Sequence, residues 1–393
     1  MDSTELCILT SPQVREAIEA NIERDPSTIA LDKRLAHPRE VATQVKYLQR
    51  ARRKLPSYYA ARAILPSLAF EQSSSEECAA HKQYGGKLAI DLTCGLGVDT
   101  LYLAKRFERV VSIERNPTLA AITRHNLALL GATNVEVICG SAEEFLSGSD
   151  FGVADLIYID PDRRGAEGKK MVCLEECSPN VAELWDTLTQ RAQRVVIKLS
   201  PMFDLRAALV AFGQEGVDVE VVSLGGECKE VVVDWSAERA KAQAEPMFRA
   251  TALGGGGGTF EAKANRQPLS PLVGFEGRGY RYLVVPDASL RKAGLVSEWC
   301  HSRGLDPWGP YGFATEEPQI TMGRVYEIEA TLPYRPKQLK PLVGKKIELI
   351  RHSFPLSSAA ICKALGTREG GGDRWAFGEV EHELWAFKLK VEN

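Results

Sequence analysis

Asp91-Leu92-Thr93-Cys94-Gly95-Leu96-Gly97-Val98-Asp99 decides the fold. It closes the apolar run LAIDL (88–92) and opens a helical segment, so strand, glycine turn and helix follow one another. The alternation continues downstream. RVVSI (109–113), VEVIC (135–139), ADLIYI (154–159) and RVVIKL (194–199) are apolar, β-branched runs of strand length. Helix punctuation lies between them. Asn116-Pro117 opens one helix and Gly131 closes it. Ser178-Pro179 opens a second, with Val181, Leu184, Trp185 and Leu188 on one face. Asp204 opens a third, with Leu205, Ala208, Leu209 and Phe212. Strands alternating with helices predict an α/β protein with a mainly parallel sheet covered on both faces. VDVEVVSL (217–224) and KEVVVDW (229–235) flank a short Gly-Gly turn, which predicts a hairpin and an antiparallel finish.

Residues 1–83 read as a helical region. Ser11-Pro12 caps a helix carrying Val14, Ala17, Ile18 and Ile22, and Val41, Val45, Leu48 and Leu55 form a second apolar face. Lys33, Arg34, Arg39, Lys46, Arg50, Arg52, Arg53 and Lys54 lie around them, as solvated helix faces or as a nucleic-acid contact. Residues 84–264 form the α/β domain. Gly254–Gly258 reads as a hairpin tip or a linker. Residues 265–393 read as a separate α+β unit. Its strands are RYLVVP, RVYEIEATL, KKIELIR and HELWAFKLK, and its helices span 287–302 and 357–365.

Composition narrows the function classes. Of 393 residues, 44% are hydrophobic and 26% charged, which excludes global disorder. The net charge of -3 means that a nucleic-acid binder of this sequence needs a local basic patch. No run approaches ~18 apolar residues, so no membrane-spanning helix is expected. The N-terminus lacks a basic segment followed by an apolar core, so no secretory signal is expected either. Nine cysteines form no CxxC pair, and the six histidines are dispersed; the expectation is a cytoplasmic protein without a metal site. Cys173 and Cys177 stand one helical turn apart with no further ligand near in sequence.

The glycine turn admits two ligand classes. A dinucleotide fingerprint wants a third glycine where this chain has Thr100, and Asp91 would repel a pyrophosphate on the turn. At an effective dielectric of about 20, like charges about 4 Å apart cost roughly 4 kcal/mol. The acid suits a ligand with an amino group and a cationic centre, such as S-adenosylmethionine (SAM). Glu114, 23 residues on, ends the next strand, where a carboxylate accepts from both hydroxyls of an adenosine ribose or caps a helix. Ser141 and Ala142 follow the third strand, to flank an adenine or to start a helix.

The ordered set Asp91…Gly95-x-Gly97, Glu114, Ser141 and Asp160-Pro161 resembles the class I SAM-dependent methyltransferases over residues 84–240. That resemblance implies a Rossmann-like core with a seven-stranded, mostly parallel sheet and an antiparallel last strand. It places the cofactor against Asp91, Thr93, Cys94, Gly95, Gly97, Asp99, Glu114, Arg115, Ser141, Ala142 and Asp160. This sequence has Thr93 where the family usually has Gly, and Ser141 where it often has Asp. DLTCGLGVDTLYLA…IERNP is similar to bacterial ribosomal RNA guanine-N2 methyltransferases and to the RNA cap guanine-N2 group. YLVVPDASLRKAGL with Gly323-Arg324-Val325-Tyr326 resembles a THUMP-like unit of a Bacteroidetes-type layout, which implies structured RNA as the partner.

The fourth strand ends Asp160-Pro161-Asp162-Arg163-Arg164. In amino-methylating relatives this place holds Asp/Asn-Pro-Pro-aromatic. There the acid and a backbone carbonyl accept from the target amine while the ring stacks on the base. Catalytic candidates are therefore Asp160, Pro161, Asp162 and Arg163, for in-line transfer to an exocyclic amine such as guanine N2. Asp162 replaces the second Pro and Arg163 the aromatic, so the two acids and two arginines also read as an ion-pair network. Ser73-Ser74-Ser75-Glu76 with Ala80 and Lys82 caps a helix or, as in similar proteins, lies over the cofactor. Lys198-Leu-Ser200-Pro201 and Glu227-Cys228-Lys229-Glu230 fall near the same rim. Arg50 to Lys54, and Arg335, Lys337, Lys340, Lys345, Lys346 and Arg351, are the basic residues available to RNA. The alternatives are a methyltransferase acting on a small molecule or protein, and a non-catalytic SAM- or RNA-binding protein.

Overall fold

The runs read as strands are strands. In a computed structural model, β1 spans Gly86–Asp91, β2 Phe107–Glu114, β3 Val135–Cys139, β4 Leu156–Ile159, β5 Arg194–Leu199, β6 Val217–Leu224 and β7 Glu227–Ser236. The structure describes residues 1–148, 150–163, 174, 177–264, 279–339, 342–380 and 383–390. The chain divides into two units, 1–219 with 230–245, and 220–229 with 246–393.

The strand order in the first unit is β3-β2-β1-β4-β5-β7, with the first residues of β6 beyond β7. β1 pairs in parallel with β2 and β4, β2 with β3, and β4 with β5. β7 runs antiparallel to β5, with Ile197 opposite Val233. The order reverses between β1 and β4, so Asp91 and Asp160 follow neighbouring strands at a topological switch point, where open α/β sheets bind ligands. All of β4 is buried, as a central parallel strand must be.

Helix boundaries follow local chemistry with two exceptions. Asn116 caps the helix Pro117–Leu129 by accepting from the Leu119 amide, and Asp204 caps Leu205–Phe212 through the amides of Arg206 and Ala207. Ser178-Pro179 does not open its helix, which starts at Val181. Ser178 is instead paired with Asp162 in a two-residue strand. Ser11 donates its hydroxyl to Ile8 O at 2.7 Å, so it closes the preceding helix Ser3–Thr10 and makes no side-chain cap bond to the next. The N-terminal helices share one core with the sheet's flank: Val41, Val45, Leu48 and Tyr58 pack in a cluster with Leu96, Leu101 and Leu127.

In the second unit the outer part of β6 is joined by a hairpin, Met247–Leu253 against Gly258–Lys263, so the glycine run is a hairpin tip. A separate eight-stranded mixed sheet follows, with Tyr282–Pro286, Gly323–Pro333 and Glu383–Leu389 at its centre. The region read as helical over 287–302 is two helices, Ala288–Lys292 and Val296–Ser302, divided at Gly294 with φ 65°. Helix Ser358–Leu365 ends at Gly366 and links two parallel strands, Lys346–His352 and Asp373–Val380. No described helix is long and apolar enough to cross a membrane.

Candidate cofactor and active site

Asp91 is buried at the end of β1 and organises the turn after it. Its Oδ1 accepts from the Thr93 amide at 3.0 Å and its Oδ2 from the Thr100 hydroxyl at 2.6 Å. Burial pushes its carboxyl up to about 7, with Asp99 and Asp160 adding to the rise. Cys94 is buried; its amide donates to Ile113 O at 2.9 Å and its thiol lies 3.5 Å from Thr100 Oγ1.

The two glycines serve different ends. Gly95 has φ 53°, and a Cβ there would meet nothing nearer than Thr93 O at 4.0 Å, so the chain leaves room over it. Gly97 has φ 82°, and a Cβ there would lie 2.7 Å from Thr123 Cγ2. The open space is thus over Gly95. Gly97 admits the neighbouring helix Pro117–Leu129 instead.

Glu114 braces the same loop. Its Oε2 accepts from the Gly95 amide at 3.0 Å and its Oε1 from the Asn116 amide at 2.7 Å. Each carboxylate oxygen keeps a second lone pair, so the group can still accept from a ribose diol. Arg115 donates to Ser178 Oγ at 2.9 Å and lies 3.5 Å from Asp162 Oδ2. Ser141 forms a reciprocal capping box with Glu144, both bonds at 3.1 Å, and Ala142 is buried at the helix start. The capping role weighed for Ser141 is thus met, and its hydroxyl is already an acceptor.

Asp160 is tied to the loop and to β5. Its amide donates to Thr93 Oγ1 at 2.6 Å, a bond that the usual glycine could not make. Lys198 Nζ lies 2.5 Å from Asp160 Oδ2, while 34% of the Asp160 side chain stays exposed. Desolvation raises the Asp160 carboxyl against the pull of Lys198. Pro161 is half-buried, and the backbone of Asp162–Arg163 pairs with Cys177–Ser178. Among the described residues, the cations beside Asp160 and Asp162 are Lys198 and Arg115. Arg164 and Cys173 lie outside the described residues, as does the Arg163 side chain.

The segments flagged around the rim converge. Ser74 Oγ donates to Asp99 Oδ2 at 2.7 Å, and Lys82 Nζ to Asp99 Oδ1 at 3.0 Å. Lys82 Nζ also lies 2.7 Å from Glu230 Oε1, and Lys198 Nζ donates to Ser74 Oγ at 3.0 Å. The result is a chain, Glu230–Lys82–Asp99–Ser74–Lys198–Asp160. Burial would lower both lysines, but the carboxylates around them raise both on balance. Sequence reasoning left Lys82, Lys198 and Glu230 outside the site proper. For Lys198 and Glu230 the available signal was charge in apolar strands, RVVIKLS and EVVVDW. Glu76 is occupied elsewhere: it accepts from the Ser57 amide and hydroxyl and from Tyr102.

The residues present fit SAM. Gly95 leaves a cradle, Glu114 stands as a preorganised acceptor, and Asp91, Asp99 and Asp160 surround the switch point with negative charge. Among the described residues no three or more His, Cys, Asp or Glu side chains cluster to hold a metal.

Comparisons with known proteins bear on the class of the protein. Residues 86–236 match the family model of RNA cap guanine-N2 methyltransferases, and residues 323–387 match a THUMP domain-like model. An uncharacterized S-adenosylmethionine-dependent methyltransferase of Mycobacterium tuberculosis (strain H37Rv) is 27% identical over 290 residues, covering 70% of this chain and 72% of that protein. A 23S rRNA (uracil(1939)-C(5))-methyltransferase of Shewanella amazonensis is 34% identical over 84 residues, 21% of this chain and 19% of its own. The fold superposes on a candidate methyltransferase of Porphyromonas gingivalis W83 with a TM-score of 0.79 and 24% identity, covering 100% of both chains. The protein is a class I SAM-dependent methyltransferase. It carries a THUMP-like C-terminal module and is related to RNA-modifying methyltransferases.

Proposed function

We propose that the acceptor is RNA and that the methyl group goes to an exocyclic amine such as guanine N2. The observation that carries this reading is Asp160: its Lys198-held carboxylate follows β4, keeps a third of its side chain exposed and adjoins the glycine turn through Thr93. A guanine N2 is weakly nucleophilic because its lone pair is delocalised into the ring. Asp160 accepts an N–H of the amine, turns the lone pair out of the ring plane and takes up the developing positive charge. SAM supplies the activated methyl on its sulfonium. Glu114 and the Gly95 turn bind and orient, and Asp91 and Asp99 supply negative charge around the methionine end. Positioning for in-line attack then gives most of the acceleration. Arg115 places Asp162 beside the rim, and Asp162 and Arg163 bear on the substrate.

The domain roles follow from the same reading. Residues 1–83 are the helical region, 84–264 the catalytic domain, and 265–393 the THUMP-like unit that engages structured RNA in the cytoplasm. In the second unit Arg335, Lys337, Lys346 and Arg351 are exposed, and Lys345 pairs with Asp373 at 3.2 Å; Lys340 lies outside the described residues. In the first unit the basic helix is largely spent on its own chain. Arg50 pairs with Glu71, Arg52 with Glu23, and Lys54 donates to Phe70 O, leaving Arg53 exposed. That internal pairing favours the second reading, a small-molecule or protein acceptor.

Transfer of labelled methyl from SAM into cell extract, with and without ribonuclease, tests the reading. Label lost on ribonuclease treatment supports RNA, and nucleoside analysis then identifies the atom. Label resistant to ribonuclease replaces RNA with protein or metabolite. No transfer to RNA from a deletion strain, despite SAM binding, supports a non-catalytic role.

A further inference from the structure

We infer that the buried chain Glu230–Lys82–Asp99–Ser74–Lys198–Asp160 reads the charge on the cofactor's sulfur and so distinguishes SAM from its product. The chain holds two ammonium groups, Lys82 and Lys198, and three carboxylates, Glu230, Asp99 and Asp160. With all five ionised it carries one net negative charge. Lys82 and Glu230 are each 4% exposed, so water does little to screen that charge. Asp91, at the neighbouring strand end, adds a fourth acid. A buried excess charge is costly unless a counter-charge meets it.

Burial raises the carboxyls of Glu230, Asp160 and Asp91, while against burial Lys82 and Lys198 hold Asp99 below its ordinary value. One buried group beside this excess charge stands unpaired. The Tyr158 hydroxyl is 1% exposed, feels the charges of Asp99, Asp160, Glu230 and Asp91, and has no hydrogen-bond partner among the described residues. The unpaired buried hydroxyl calls for a polar partner, and the excess carboxylate around it for a cationic one.

SAM supplies one. Methyl transfer breaks the S–CH3 bond and leaves its electron pair on sulfur, so the sulfonium becomes a neutral thioether in S-adenosylhomocysteine (SAH). The acceptor nitrogen forms the N–CH3 bond and releases its proton to Asp160, which passes it on to water through the exposed third of its side chain and is ionised again. The guest loses its positive charge at sulfur while the network keeps its excess carboxylate, so binding weakens as the reaction completes. The inference rests on the methionine end lying at Asp91, Asp99 and Asp160, but it is independent of the RNA acceptor.

The test is calorimetric titration of the full chain with SAM, with SAH, and with an analogue bearing a protonated amine in place of the methylsulfonium. The expected result is SAM and the amine analogue binding about tenfold tighter than SAH, which corresponds to about 1.4 kcal/mol. Glu230→Gln leaves two carboxylates against two ammonium groups; it should weaken SAM, spare SAH and bring the ratio near one. Asp99→Asn should act in the same way from a different element. SAH binding as tightly as SAM in the wild type overturns the inference, as do variants that weaken both ligands alike. If neither variant folds, the wild-type ratio decides alone. Glu114→Ala separates the two failures. Unchanged SAM affinity in that variant overturns the placement of the cofactor, whereas lost affinity together with equal SAM and SAH binding in the wild type overturns only the charge reading.

Discussion

Glu114 and Asp160 are both acids following strands that flank β1, yet they are held by different means. Glu114 rests on backbone: both oxygens accept amide protons, from Gly95 and Asn116. Its geometry arrives with the turn and with Asn116, the cap of the helix that follows. Asp160 rests on a side chain, the Lys198 ammonium, within a chain of charges from four other segments. A backbone-held carboxylate has a set position and suits recognition. A carboxylate poised among buried charges has an adjustable proton affinity and suits chemistry. On the proposed function, the β1–β2 side of the rim is a binding edge and the β4–β5–β7 side a reactive edge.

The sharpest way to break this contrast is at the reactive edge. Asp160→Ala should lower kcat about a thousandfold, within the range of a lost general acid–base partner. SAM should still bind at saturating concentration, weakened by no more than the charge count allows. Single-turnover transfer with separate calorimetry distinguishes the two quantities. A variant with near-normal kcat would move the chemistry away from β4.

Asp91 gives the next largest effect, visible in stability rather than rate. Its carboxyl titrates near 7 in the fold and near 3.8 when the chain is unfolded. Between those values the folded state holds the extra proton, so stability falls as pH rises through that window. Above 7 the full cost of the buried charge applies, on the order of 4 kcal/mol at most. Asp91→Asn should remove this slope and gain on the wild type between pH 5 and 8, while losing cofactor affinity. Melting curves of both chains from pH 5 to 8 check this: a difference that does not change with pH would mean that Asp91 is already ionised at pH 5.

These contrasts also explain what the sequence made legible. The seven strands and the switch point could be read because parallel strands need apolar, β-branched residues on both faces, as LIYI and RVVIKL show. The Gly-x-Gly turn with Asp91 and Glu114 was legible because backbone geometry there demands particular residues at close spacing. The segments of the charge chain could be placed near one rim, but its pairings could not, because Ser74, Lys82, Asp99, Asp160, Lys198 and Glu230 are brought into contact by the fold alone. The strand Asp373–Val380 was missed although its Trp375-Ala376-Phe377 repeats as Trp385-Ala386-Phe387, and the two stretches pair antiparallel. A preceding triple glycine hid the strand, since Gly370–Gly372 reads as loop and indeed holds three positive φ angles.

At the binding edge, Glu114→Ala should cost roughly 1.5–3 kcal/mol of SAM binding, the worth of hydrogen bonds to a charged group. The loss has two sources. The ribose acceptor goes, and the amides of Gly95 and Asn116 lose their partner, so the turn itself loosens. Glu114→Gln keeps one acceptor oxygen but turns an NH2 group towards the other amide, and should fall between alanine and wild type. Equal binding by all three chains would dissolve the distinction between the two edges.

The smallest effect decides what Ser141 does. Its hydroxyl accepts from the Glu144 amide and its own amide donates to the Glu144 carboxylate, so both groups are spent on the helix Ala142–Gly148. Ser141→Ala removes one half of the box and should cost about 1 kcal/mol of stability. A residue whose work is capping transmits little of that loss to an adenine, so SAM affinity should move by less than about twofold, a few tenths of a kcal/mol. Ser141→Asp restores a capping oxygen and should recover the stability. If alanine instead weakened SAM severalfold and aspartate strengthened it at constant melting temperature, the third strand's end would join Glu114 as part of the binding edge.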